Sequence, residues 1–297
     1  MSSGKRRISP GVGFLAPFCA FFLLFFIVPI GYALYQSLFR TERDGLYGEL
    51  GSHQVFAGLG NYAQVFAEGA FVQSVLRVLG YAVVQVPVMI VLATILALLL
   101  DAASARGVRF FRSAYFLPYG VPGVIASILW GFLYTPGISP IVSIGSDLGL
   151  NLDFLGPNTV LWSIANIVTW QFAGYNMLVI VAQLKTLSGD VLEAARIDGA
   201  SAWQTVWRIK LPLIRPAIVL TTVFTIIGSL QLFSEPLVLK PLTANIDAAY
   251  TPNMAAYNDA FYNNNYSYAA AEAVLLALIA CILSFGFLRL VGFRRRG

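Results

Sequence analysis

The residues of this chain that could do chemistry gather in one short stretch, LEAARIDGASAWQTVWRIKLPLIRP, from Leu192 to Pro216. Only 11% of the 297 residues are charged. This stretch nevertheless holds Glu193, Arg196, Asp198, Arg208, Lys210 and Arg215. Charged groups beside bulky apolar ones, in a chain that is otherwise apolar, favour binding to a partner over catalysis.

The first half of the stretch predicts a short helix. Asp190, followed three residues later by Glu193, is a start signal like a capping box, so a helix is expected from about Val191 to Asp198. Gly199 suits the left-handed position that ends a helix.

The second half predicts another short helix. Ser201 with Gln204 repeats the start signal, and one face carries the bulky residues Trp203, Val206 and Trp207. Pro212 and Pro216 mark where this helix gives way to the next apolar segment. The apolar face favours a docking partner, and the alternative is that the two tryptophans anchor the segment among lipid headgroups.

Catalytic and cofactor chemistry have little support elsewhere in the chain. The pair Gly4–Lys5 lacks the upstream glycine of a phosphate-binding loop, so the chain is not an ATPase. Cys19 and Cys281 stand alone, without disulfide or metal spacing. No His pair or Ser/His arrangement lies in the apolar segments, and no basic cluster interleaved with aromatics indicates nucleic-acid binding. We predict no enzyme activity, no cofactor and no metal.

Polar side chains within apolar segments are costly and indicate function. Amide, hydroxyl and aromatic groups of this kind, which suit sugar hydroxyls and sugar faces, are Trp170, Gln171, Tyr175, Asn176, Ser229 and Gln231. The alternative is that they bond to neighbouring helices or to a dimer partner. Glu235 and Glu272 are expected to be wet, or paired with Arg77 or Lys240.

The elements that must position these residues are membrane-spanning helices. The chain is 58% hydrophobic, and the uncharged run between Arg77 and Asp101 exceeds the roughly 20 residues that cross a bilayer. Six spans are predicted, at about residues 12–39, 78–100, 111–134, 159–184, 216–239 and 269–291. The fold class is therefore all-α, a polytopic membrane protein with one transmembrane domain over residues 1–297. The first run is too long for a signal peptide and is expected to be retained.

Basic residues predict the orientation of the spans. They cluster at the N-terminus, the second connection, the fourth connection and the C-terminus, as Lys5, Arg6, Arg7, Arg106, Arg109, Arg112, Lys185, Arg196, Arg208, Lys210, Arg215, Arg289, Arg294, Arg295 and Arg296. Both termini and the 190–216 loop are therefore expected in the cytoplasm. Two outer connections, residues 40–74 and 135–158, are expected to form ordered loops and short surface helices. The third, residues 240–268, is rich in Tyr and Asn, which suits hydrogen-bonding contact with another polar surface, and the alternative is a solvated loop without a partner.

The order Glu193-Ala194-Ala195, Asp198-Gly199-Ala200 and Leu211-Pro212 resembles the EAA loop of permeases from binding-protein-dependent ABC importers. FLAPF near the N-terminus, FRSAYFLPYGVPGVIASILWGFLYTPGISP and IGSLQLFSEPLVL resemble segments of the carbohydrate-uptake branch. Val206 departs from the pattern, because the family usually has Phe there.

The resemblance implies a cytoplasmic coupling helix that docks on a separate ATPase, with Glu193 as the pairing carboxylate. It also implies the partners, which are a second, different permease, two ATPase subunits and an extracytoplasmic solute-binding protein. The predicted function is ATP-driven import of a sugar across the cytoplasmic membrane by alternating access. Alternatives are import of a polyol or a glycerol-phosphate-like solute, an ion-coupled secondary carrier, and a membrane scaffold.

Overall fold

The computed structural model of the protein describes residues 10–43, 52–102 and 106–293. The basic residues Lys5, Arg6, Arg7, Arg294, Arg295 and Arg296, on which the predicted orientation partly depends, lie outside the described residues.

Helices account for most of the described chain. In order, the elements are α1 Pro10–Phe22, a π-turn Leu23–Ile27, α2 Val28–Ser37, β1 Phe39–Arg43, β2 Ser52–Phe56, α3 Gly60–Glu68, α4 Ala70–Asp101, α5 Val108–Phe116, a 3-10 turn Leu117–Gly120, α6 Gly123–Tyr134, α7 Pro140–Asp147, α8 Val160–Leu184, α9 Gly189–Ile197, α10 Ala202–Thr205, a π-turn Val206–Lys210, α11 Leu211–Leu230, α12 Ser234–Leu239, a 3-10 turn Lys240–Leu242, α13 Pro252–Phe261 and α14 Tyr266–Phe293.

The predicted all-α, multi-span architecture is confirmed. Among the described residues, five helical stretches are long and apolar enough to cross a membrane: Phe14–Ser37, Ala70–Asp101, Val160–Leu184, Ala202–Leu242 and Tyr266–Gly292. A sixth span results if the bent pair Val108–Gly120 and Gly123–Tyr134 is counted as one.

The predicted third span, residues 111–134, is wrong as a continuous helix. Its two parts meet at an angle of 98°. Pro122 causes the break, because a proline disfavours helical geometry in the residue before it. Val121 is accordingly extended, with φ −83° and ψ 125°.

The predicted fifth span, residues 216–239, is also interrupted. The helix α11 ends at Leu230, and the Gln231 N–H is shared between the carbonyls of Ile227 and Gly228. Such tightening satisfies the last carbonyls of a helix and ends it. At Phe233 the backbone is neither helical nor extended, with φ −148° and ψ −57°, before α12 begins.

Contacts divide the chain into two compact units, one of which comprises residues 1–69 with 256–275. In this unit β1 and β2 form an antiparallel hairpin, paired from Phe39 opposite Phe56 to Arg43 opposite Ser52. The Asn61 amide ties α3 to the chain before it, because it donates to the carbonyls of Ser37 at 2.8 Å and Phe39 at 2.7 Å. The hairpin stands where sequence predicted only loops and short helices.

The other unit comprises residues 70–255 with 276–297. Its centre is formed by α4, α8 and α11, which pack on one another. One buried cluster, Ala93, Ala97, Leu100, Met177, Ile180, Val181, Leu184 and Ile214, joins these three helices. A second cluster joins α4, α6, α8 and the segment after α11, and it includes Tyr81, Ala126, Ile164 and Leu239.

The chain at the end of α5 approaches α8 closely at Gly174. A Cβ atom at this position would overlap the Tyr115 carbonyl oxygen, which belongs to the backbone and cannot rotate away. Glycine therefore sets the spacing of α5 and α8 beside Tyr175 and Asn176.

We expect Gly174→Ala to lower the free energy of unfolding by about 1–3 kcal/mol or more, the usual cost of overpacking. The measurement is the apparent Tm of the detergent-solubilised protein. The matched control is Gly80→Ala in α4, where nothing lies within 4 Å of the added atom. Equal melting of the two variants would contradict the close approach.

Candidate functional site

The segment Gly189–Lys210, here called the connecting segment, joins α8 to α11. Its first helix starts earlier than predicted. The N-cap is Ser188, whose hydroxyl accepts from the Asp190 N–H at 3.2 Å, so the helix runs from Gly189 to Ile197 and Asp190 lies inside its first turn. Ser188, and not Asp190, forms the cap because its hydroxyl oxygen reaches an N–H group of the first turn.

The turn after α9 is fixed by backbone bonds. Gly199 has φ +77°, as its predicted left-handed role requires. The Ala200 N–H bonds to the Ala195 carbonyl at 2.9 Å, and the Gly199 N–H bonds to the Arg196 carbonyl at 3.0 Å. This paired arrangement closes the helix without help from any side chain.

The predicted capping box at the second helix is confirmed. The Gln204 N–H donates to the Ser201 hydroxyl at 3.2 Å, and the Ser201 N–H donates to Gln204 Oε1 at 2.8 Å. The predicted end of this helix near Pro212 is wrong. A π-turn leads directly into α11, because the wider turn lets the helix accept a proline that has no N–H to donate.

The connecting segment presents apolar and acidic groups outward. Ile197, Trp203 and Trp207 are 81%, 70% and 55% exposed. Glu193 is exposed too, and within the described chain its carboxylate has no hydrogen bond or ion pair.

The other predicted coupling residues divide between surface and interior. Ala194, Asp198, Gly199 and Pro212 are exposed, Ala200 and Leu211 are half-buried, and Ala195 is buried.

Asp101 anchors one end of this segment. Its carboxylate pairs with Lys185 at 2.9 Å and with Lys210 at 2.7 Å. Asp101 ends α4, Lys185 follows α8, and Lys210 precedes α11. One carboxylate thus links the three central helices at the level where the connecting segment leaves the bundle.

A cavity of about 350 Å³ lies among α4, α8, α11 and α12. Its lining combines aromatic, amide, hydroxyl and carboxylate groups, and it contains Met89, Tyr119, Val168, Phe172, Tyr175, Asn176, Phe224, Thr225, Gly228, Ser229, Gln231, Leu232, Phe233, Ser234 and Glu235. Its size and mixed lining are typical of a small-molecule site.

Four of the predicted pathway residues meet in this cavity: Tyr175, Asn176, Ser229 and Gln231. The other two lie outside its lining. Trp170 packs edge-on against Trp130, with centroids 5.9 Å apart, and Gln171 donates to the Val121 carbonyl at 2.7 Å.

An aromatic group lines one wall of the cavity. Tyr119 stacks on Tyr175 with centroids 4.8 Å apart and meets the edge of Phe172 at 5.8 Å. Sequence reasoning missed Tyr119, Phe172 and Thr225. The helix break at Val121 brings Tyr119 to the cavity. No local signal in the sequence predicts the direction in which the chain turns at this break.

The expectation for Glu235 and Glu272 is wrong. Both are buried, with 9% and 2% exposed. Arg77 instead lies over the Tyr250 ring, 4.4 Å from its centroid, and donates to the Tyr250 carbonyl at 2.8 Å. Among the residues that the structure describes, no cluster of His, Cys, Asp and Glu could hold a metal ion.

Comparison with known proteins agrees with this architecture. The lactose transport system permease protein of Rhizobium radiobacter is 31% identical over 280 residues, which cover 92% of this chain and 90% of that protein. The sn-glycerol-3-phosphate transport system permease protein of Agrobacterium fabrum is 30% identical over 275 residues, with 91% and 90% covered. The trehalose transport system permease protein of Mycobacterium tuberculosis is 28% identical over 292 residues, with 98% and 92% covered.

The fold is also that of a solved transporter. A chain of a bacterial ABC transporter involved in the import of the acidic polysaccharide alginate superposes with a TM-score of 0.80, at 21% identity and with 96% and 94% of the two chains covered. The family model for the inner membrane component of binding-protein-dependent transport systems matches residues 57–297. The chain therefore belongs to this family of inner membrane permease components.

Proposed function

We propose that this chain, as one transmembrane domain, moves an uncharged sugar through the cavity beside Tyr175 and Asn176. As a member of its family it is a transport component and not an enzyme. Lactose and trehalose permeases among its relatives support a sugar substrate. A polyol or glycerol-phosphate-like solute is the alternative, since a glycerol-phosphate permease is also a relative.

The cavity favours the uncharged substrate. Its lining has no Lys, Arg or His, the groups that pair with phosphate. Stacked aromatic rings beside amides and hydroxyls suit the apolar faces and the hydroxyl edges of a sugar ring.

The connecting segment is proposed to dock on a separate ATPase, with Glu193, Ala194, Ala195, Asp198, Gly199, Ala200, Leu211 and Pro212 forming the coupling site. The single observation that carries this proposal is the combination of a rigid, doubly capped turn with an exposed apolar and acidic surface. A rigid element is needed because a flexible one could not transmit rigid-body motion to the spans.

The proposed assembly contains a second, different permease, two ATPase subunits and an extracytoplasmic solute-binding protein. We place the connecting segment and both termini in the cytoplasm, on the distribution of basic residues. The direct link from Asp101 to Lys185 and Lys210 would then carry movement of the docked segment to α4, α8 and α11 together.

We expect Glu193→Lys to reduce the amount of ATPase that co-purifies with the tagged permease about tenfold. The substitution would replace the carboxylate that is proposed to pair with a basic side chain of the ATPase by a group of the same charge as that side chain. Quantification of the ATPase in pull-downs from solubilised membranes measures this effect. Asp190→Lys is the matched control, since it makes the same charge change on the same helix. Equal losses in both variants would count against a specific role of Glu193.

Gly199→Val tests the turn itself. A β-branched residue resists the positive φ at this position, so the two helices of the connecting segment should no longer keep their geometry. Uptake into proteoliposomes is expected to fall at least about tenfold while the protein remains inserted. Gly189→Ala, at a glycine with open space and without positive φ, should transport normally. Normal uptake by Gly199→Val would rule out a need for this turn.

Tyr175 tests the cavity. Tyr175→Ala removes the ring that stacks on Tyr119 and should lower sugar uptake about tenfold, since loss of a stacked aromatic is worth about 1.4 kcal/mol or somewhat less. Tyr175→Phe keeps the ring and should retain most of the uptake. The measurement is the amount of radiolabelled sugar transported per ATP hydrolysed. An unchanged ratio in Tyr175→Ala would exclude the aromatic wall of Tyr119 and Tyr175 from the pathway.

A further inference from the structure

Glu235 combines three properties that the proposed sugar pathway does not by itself require. It lines the cavity, it is only 9% exposed, and no other side chain in the described structure gives it a hydrogen bond or an ion pair. The ion pairs of Asp101 lie at the far ends of α4 and α8. A buried carboxylate without a partner is costly and indicates a function.

The surroundings of Glu235 explain how its charge is tolerated without a cation. Glu235 lies in the first turn of α12. Its Oε1 atom also lies 3.5 Å from the position of a Cβ at Gly123, the first residue of α6. The helix dipole makes the start of α6, a helix of 12 residues, favourable for a negative charge.

Room for this carboxylate comes from the two helix breaks described above. The break at Val121–Pro122 sets the start of α6, and the break at Gln231–Phe233 sets the start of α12. The carboxylate lies beside the start of α6, at ordinary contact distance from the Cβ position of Gly123. The same space borders Gln171, whose Nε2 lies 4.0 Å from the Gly123 Cβ position.

Two other buried polar atoms of the same unit lack a hydrogen-bond partner in the described structure, Gln171 Oε1 and the Tyr81 hydroxyl. Neither residue lines the cavity, whereas Glu235 does. A ligand with several hydroxyls, which can donate to a carboxylate, would therefore meet Glu235 and not these two atoms.

We propose that Glu235 is the specificity-determining group of the cavity, a carboxylate that accepts hydrogen bonds from the hydroxyls of a neutral sugar and repels anionic solutes. This inference rests on the proposed function of sugar import. Hydrogen bonds to an ionised acceptor are about twice as strong as neutral ones, so the carboxylate selects for donors. With no cation in the cavity lining, a phosphate or a uronate would meet an uncompensated negative charge.

The test is equilibrium binding to the solubilised permease–ATPase complex without the solute-binding protein, which would otherwise impose its own selectivity. The probes are radiolabelled lactose and trehalose as neutral sugars and sn-glycerol 3-phosphate as the anion. The wild-type complex is expected to bind at least one neutral sugar about tenfold more tightly than the anion. Glu235→Gln keeps the shape and removes the charge, and it should weaken that sugar and strengthen the anion until the ratio falls below about threefold.

The matched control is Glu272→Gln, because Glu272 is also buried and does not line the cavity. This variant should keep the wild-type ratio. Size-exclusion profiles and subunit content establish that each complex is intact. If the Glu235→Gln complex does not remain intact, Glu235 instead contributes to a contact between subunits, and the proposal is overturned.

Uptake into proteoliposomes separates a pathway role from a structural one. If Glu235 contacts substrate, Glu235→Gln should lower the sugar moved per ATP hydrolysed while stimulation of the ATPase by loaded binding protein stays within about twofold of wild type. Unchanged binding and uptake in Glu235→Gln would overturn this inference alone. Failure of the wild-type complex to bind or transport any neutral sugar would overturn the proposed sugar specificity together with it.

Discussion

The two ion pairs of Asp101 are the interaction on which the arrangement of the central helices depends. They join the end of α4 to the chain after α8 and to the chain before α11, at 2.9 and 2.7 Å. Asp101 and Lys210 expose only 11% and 14% of their side chains, so their pairing is far less screened than a surface ion pair. The same three helices border the cavity, and the connecting segment begins beside Lys185 and ends at Lys210. The ion pairs of Asp101 therefore connect the ends of this segment to helices that line the cavity.

The cavity itself depends on helices that stop inside the apolar region. Straight spans would have packed side chain against side chain and left little polar surface. The interruptions at Val121–Pro122 and at Gln231–Phe233 instead place helix starts and free backbone groups beside Tyr119, Ser234 and Glu235. Non-helical backbone at membrane depth is tolerated where protein or a cavity surrounds it. The breaks are thus where apolar spans acquire a polar lining.

The apolar surroundings of the spans also limit where charged groups can lie. Lys185 and Lys210 pair with Asp101 at the ends of the central helices, and the lining of the cavity contains no basic residue. A relative that transports sn-glycerol 3-phosphate and a fold neighbour that imports an acidic polysaccharide show that this architecture serves anionic solutes too. The fold by itself therefore does not specify the charge of the solute.

Sequence alone determined the features that depend on composition and on local backbone chemistry. Apolar length gave the helical spans, and the Ser201–Gln204 pair and Gly199 gave the helix start and the turn, because caps and left-handed glycines act within a few residues. The residues of the EAA pattern indicated the family before any comparison. The prolines did not correctly predict a break near Pro212. The π-turn before α11 lets the helix continue past a proline that has no N–H to donate.

Only the tertiary structure decided which polar residues meet. Trp170 and Tyr175 lie five positions apart on α8, yet one packs against α6 and the other lines the cavity, since helix rotation and neighbours set what each side chain contacts. Tyr119 and Glu235 are brought to the cavity by breaks whose angle no local pattern specifies. The sequence predicted an acid at the end of a span for Glu235, whereas the structure buries it beside Gly123, which lies in a different helix. Contacts of this kind join residues far apart in the chain, so they are fixed by packing and not by spacing.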